Sequence, residues 1–97
     1  MSEHFNKLTP AEAERLALLL EEMGEAQQVI GKILRHGYES THPNGGPTNR
    51  ELLEKELGDV MAALDMLDKD IDVSEMDRHR FMKHQRVGQY LHHQPTE

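Results

Sequence analysis

Glu22-Met23-Gly24-Glu25 and Glu56-Leu57-Gly58-Asp59 are near copies, each with two carboxylates three residues apart and a glycine before the second acid. On a helix, positions i and i+3 lie one above the other on the same face. Two such helices side by side bring four carboxylates into one patch, where like charges repel unless a cation sits among them. Hard oxygen donors in that number, with nothing softer on offer, suit Mg²⁺, with Mn²⁺ as a substitute. The expected metal ligands are therefore Glu22, Glu25, Glu56 and Asp59. With 18 acids among 97 residues, acids three apart also arise by chance, and an exposed acidic face on a helical bundle is the plain alternative. Two features favour a site. The four acids border the apolar positions Leu18, Met23, Ala26 and Val29 in one case and Leu52, Val60 and Ala63 in the other. A carboxylate at the margin of a core is costly unless it is paired or metal-bound. Gly24 and Gly58 also fall inside helical stretches, where a glycine costs about 1 kcal/mol relative to Ala. Either two backbones approach closely there, or a ligand needs the space.

The elements that must hold these residues are helical. Thr9-Pro10-Ala11-Glu12 is a capping box with Pro at the first helical position. The helix it opens runs to about His36, where Gly37 supplies a cap. Leu16, Leu19, Leu20, Met23, Ala26, Ile30, Ile33 and Leu34 recur along it at helical spacing. Thr48-Asn49-Arg50-Glu51 is a second capping box, and Leu53, Leu57, Val60, Leu64, Leu67 and Ile71 form the stripe that follows. A third, weaker helix opens at Ser74, with Met76, Lys83, Val87 and Tyr90 in one row. The reading is all-α: two long antiparallel helices over 10–36 and 49–71, and a shorter third over 74–91. A loop spans 37–48, and the tail from 92 to 97 frays. The loop is longer than most bundle connections, and it either serves binding or only spans the gap between two helices.

Composition sets the outer bounds. One domain over 1–97 is all that this length allows. With 36% hydrophobic residues and no Trp, a single copy buries a modest core, so its long apolar stripe is expected to pack on a second subunit, as a homodimer or homotetramer in an oligomeric helical bundle. The absence of cysteine excludes disulfides, thiolate zinc sites and Cys nucleophiles. No apolar run approaches the ~20 residues that span a bilayer, and Met1-Ser2-Glu3-His4 does not begin a secretory signal, so a cytoplasmic location without membrane contact is expected. A net charge of −7 argues against binding a nucleic-acid polymer. That charge is uneven: residues 1–77 carry a balance of −10 and residues 78–97 one of +3.

The basic end supplies a complement to the acids. Four carboxylates around one Mg²⁺ leave a net negative charge that repels a polyphosphate, so basic groups or a second metal must offset it. Lys83, Arg86 and Arg80 on the third helix are the phosphate-binding candidates; an exposed basic face paired with a neighbour's acids is the other reading. Seven histidines invite a di-iron bundle, which uses Glu-x-x-His on helices. The one such spacing here, Glu39 to His42, lies in the loop directly before Pro43 and speaks against that class.

Glu21-Glu22-Met23-Gly24-Glu25 followed by Glu56-Leu57-Gly58-Asp59-Val60 resembles the signature of the MazG-like all-α nucleoside triphosphate pyrophosphohydrolases, in the short single-domain form found in bacteria and phages. The likeness covers roughly residues 10–91 as a pattern of helices. It departs in a 30-residue spacer between Glu25 and Glu56, longer than usual, and in a short third helix. The resemblance implies Mg²⁺-dependent hydrolysis of an NTP or dNTP to the monophosphate and pyrophosphate. It implies that Glu22, Glu25, Glu56 and Asp59 hold the metal and that Glu21 orients a water or a second metal. Glu21 or Glu25 is the candidate to position the attacking water or take its proton. Tyr38 could stack on the base, and His42 or Asn44 could bond its edge; a packed Tyr and a turn-forming Asn are the structural alternatives. The rival function is a non-catalytic helical module that sequesters nucleotides or binds a protein through the same carboxylates.

Overall fold

The computed structural model describes residues 6–95. It is all-helical, with α1 at Pro10–His36, α2 at Asn49–Asp65, α3 at Val73–Val87 and a short 3-10 turn at Gly88–Tyr90. Both capping boxes form. Glu12 N–H donates to Thr9 Oγ1 at 3.1 Å while Thr9 N–H donates to Glu12 Oε1 at 2.8 Å. Thr48 and Glu51 repeat the same reciprocal pair at the same two distances. α1 stops where expected, because Gly37 turns to φ 88° and ψ 168°, a region that only glycine enters freely, and donates its N–H back to Ile33 O at 2.7 Å.

α2 ends at Asp65, six residues before the expected boundary. The stretch after it carries Asp65, Asp68 and Asp70, and the last turn holds no basic residue. Negative charge at that end opposes the helix dipole. The chain instead tightens: Met66 N–H donates to Ala63 O and Leu67 N–H to Leu64 O. Leu67 is still buried, in the turn, whereas Ile71 is exposed. The third helix starts one residue before Ser74 because Asp72 is its cap, with Oδ1 accepting from Ser74 N–H at 3.0 Å and Glu75 N–H at 3.2 Å. Residues 92–95 form no regular element, and the rest of the expected frayed tail lies outside the described residues.

The chain falls into two compact units, one ending at Leu67 and one beginning at Asp68. In the first, α1 and α2 pack against each other. They run antiparallel, since Leu18 meets Ala62 to Met66 around one hollow while Lys32 and Leu52 share another. Ala26, Val29, Ala63 and Leu67 are its buried apolar residues, and no large side chain is fully buried. Five of the eight residues of the α1 stripe find no cover: Leu16, Leu20, Met23, Ile30 and Leu34 are spaced four and three (or seven) apart and all remain exposed. The second unit holds α3, which buries no residue, and Met76, Lys83 and Tyr90 of the expected row are exposed.

The start of the connection from 37 to 48 is fastened to the first turn of α2. Asn49 N–H donates to Ser40 O at 2.9 Å and Arg50 N–H to Tyr38 O at 2.8 Å. Asn49, itself buried, adds a side-chain bond from Nδ2 to Gly37 O at 3.1 Å. The first-turn N–H groups of α2, which a helix cannot satisfy by itself, are thus taken by the loop and by Thr48.

Candidate metal centre

α1 and α2 bring five carboxylates together. Glu21, Glu22 and Glu25 form one group whose chosen oxygens lie within 4.8 Å of one another, and Glu22, Glu56 and Asp59 form a second on the same criterion. Glu22 belongs to both. Glu25 falls in the first group and Glu56 and Asp59 in the second, with Glu22 joining the two and Glu21 exposed. A shallow hollow of about 190 Å³ opens beside them, lined by Glu22, Asp59, Leu18, Ala62, Ala63 and Met66.

Glu56 is the deepest of the set, with 8% of its surface exposed. Its Oε1 accepts from Lys55 Nζ at 3.2 Å, while Oε2 is buried and reached by no donor. The carboxyl of Glu25 lies close enough to share a proton with Glu56. Two ionised carboxylates are both acceptors, so that contact becomes a hydrogen bond only when a proton enters it. A buried acceptor without a partner is rare in a folded protein and calls for an explanation.

The electrostatics agree. Glu25 is held above the ordinary carboxyl range first by the charge of Glu22, then by the shared contact with Glu56. Glu22 is raised first by loss of solvent, then by Asp59 and Glu56. The cluster therefore lacks positive charge. Lys55 supplies one: Nζ lies 2.9 Å from Asp59 Oδ2 as well as 3.2 Å from Glu56, and these bonds, Asp59's first, raise its own pKa. Lys55 lies outside both acidic motifs, and its one sequence signal is the i, i+4 spacing to Asp59. A buried oxygen with no donor, an all-oxygen donor set and a charge deficit together fit a hard divalent cation.

Gly24 and Gly58 resolve one alternative. A Cβ built on either meets nothing within 4 Å, so no second backbone of the chain crowds them. The glycines leave open space.

Arg80, Lys83 and Arg86 lie on α3, in the second unit. Arg80 pairs with Asp77 at 3.5 Å, and Arg86 Nε donates to Met82 O at 3.4 Å. In the loop, the Tyr38 ring carries the Arg50 guanidinium 4.3 Å from its centroid, and Arg50 also pairs with Glu39 at 3.1 Å. Asn44 N–H donates to His42 Nδ1 at 3.1 Å, so Asn44 is part of the turn and His42 is held by it.

Comparison of the chain with family models, with curated proteins and with solved structures found no match. Among the described residues, no helix is long and apolar enough to cross a membrane.

Proposed function

We propose that this chain is a Mg²⁺-dependent nucleoside triphosphate pyrophosphohydrolase of the MazG-like type. The observation that carries the reading is the buried, donorless Oε2 of Glu56, grouped with carboxylates of both helices. Glu22, Glu25, Glu56 and Asp59 would hold the ion. When bound, Mg²⁺ supplies the charge that polarises a phosphoryl oxygen and acidifies a water. Glu21, exposed and beside Glu22 and Glu25, is left to orient the water that attacks the α-phosphorus and to take its proton. Glu25, with its raised proton affinity, is the second candidate for that proton. The new bond joins water oxygen to the α-phosphorus, the bond to the bridging oxygen breaks, and pyrophosphate leaves. The uncovered apolar row on α1 supports a homodimer or homotetramer as the working form.

The test is release of pyrophosphate from a panel of NTPs and dNTPs with Mg²⁺, with an EDTA control. Release that EDTA stops is the expected result, and silence across the panel overturns the enzymatic claim. Nucleotide binding by calorimetry without turnover would instead identify a sequestering module.

A further inference from the structure

A second hollow in the first unit has the opposite character. It measures about 520 Å³ and lies between the C-terminal end of α1, the loop and the start of α2. Lys32, Arg35, His36 and His42 line it, with Ser40 and Thr41 adding hydroxyls, and no Asp or Glu lines it at all. In a chain of 18 acids and a net charge of −7, an acid-free cleft with two full cations is unexpected. Among the described residues, neither Lys32 nor Arg35 has an acid partner. The one acid of the loop, Glu39, is engaged by Arg50. His42 accepts at Nδ1 from Asn44, which leaves Nε2 as the ring's donor. The volume is that of a small-ligand site.

We propose that this cleft binds a phosphate-bearing anion, and that its occupant is the pyrophosphate end of the nucleotide. The second half of that statement rests on the function proposed above; anion binding does not. The placement follows from the helix rise. Lys32 lies seven residues beyond Glu25, roughly 10 Å along α1, and Leu52 lies four before Glu56, roughly 6 Å along α2. The carboxylates and the cleft thus lie within about two turns of each other along the same two helices. A triphosphate with its α-phosphorus at the carboxylates reaches Lys32 and Arg35 with its outer phosphates. Cations there stabilise the charge that builds on the leaving pyrophosphate. The loop and α1 take over the role that sequence alone assigned to Arg80, Lys83 and Arg86.

Calorimetry with inorganic pyrophosphate in EDTA, on the full chain, tests the proposal. Wild type should bind, and the double variant Lys32→Gln, Arg35→Gln should bind about tenfold more weakly or worse, given what a hydrogen bond to a charged group contributes. Both side chains are exposed, so an unchanged helical CD spectrum is expected and serves as the control. Amide shifts on adding pyrophosphate should fall between 32 and 49. Equal affinity in the double variant, no binding by wild type, or shifts centred on Arg80 to Arg86 would each overturn the proposal. If wild type binds pyrophosphate in EDTA but hydrolyses no nucleotide with Mg²⁺, the cleft stands and the enzymatic reading fails.

Discussion

Replacing Glu56 by Gln should stabilise the metal-free protein and abolish its response to Mg²⁺. The side chain is buried, and one of its two oxygens accepts nothing. Leaving a buried acceptor unsatisfied costs about 1–3 kcal/mol. Gln keeps the shape and keeps an acceptor for Lys55, but it replaces the other oxygen by an NH₂ group that can donate to the Glu25 carboxyl beside it. It also removes one negative charge from a cluster that holds five carboxylates. A gain of about 1–2 kcal/mol follows, or roughly 5–10 °C in Tm for a domain of this size. With Mg²⁺ the order reverses. A ligand at a hundred times its Kd adds about 2.7 kcal/mol to a protein that binds it, and the variant forfeits that gain. Thermal melts by CD, in EDTA and in a Mg²⁺ series, show both halves. A variant that melts lower than wild type in EDTA, or that gains as much from Mg²⁺, refutes the reasoning.

The metal-free protein should also gain stability as pH falls from neutrality toward 4.5. Glu22 and Glu25 have folded values raised above the ordinary 4.5, so in that window the native state binds more protons than the unfolded chain. Below 3.8 the trend should reverse, because Asp72 is lowered by its bonds to Ser74 and Glu75, and the stability it gives is lost as it protonates. Melts in EDTA across this range check both signs, and saturating Mg²⁺ should flatten the upper part. Lys55→Met should lower the Tm in EDTA yet enlarge the shift that Mg²⁺ produces, since the ammonium shares Glu56 and Asp59 with the incoming ion. A smaller shift in that variant would mean that Lys55 assists the metal rather than competing with it.

Much of the frame could be read from local chemistry. Thr9 with Glu12, and Thr48 with Glu51, are short-range signals, and both form the bonds their spacing implies. That acids of the two motifs would meet, as Glu22 does with Glu56 and Asp59, was legible too, because two amphipathic helices joined by one loop must face each other along their apolar sides. The end of α2 was not. Leu67 and Ile71 continue the helical period, and only the charge of three aspartates near an unfavourable dipole end breaks it. Lys55 escaped because a search for acids ignores the base between them. The cleft around Lys32 and Arg35 escaped for another reason: its residues come from a helix end, a loop and a helix start, with no motif that links them.

The bonds that tie the loop to α2 have a consequence for how fast a ligand site must be assembled. Amides in the first turn of a helix normally exchange with solvent almost freely, for want of an acceptor. Here Asn49 and Arg50 donate to loop carbonyls and Glu51 to Thr48, so all three should show measurable protection. The floor of the basic cleft is then already ordered before anything enters it. An anion arriving there meets a partly preformed cradle, and its affinity carries little penalty for immobilising residues 37–40 of the connection.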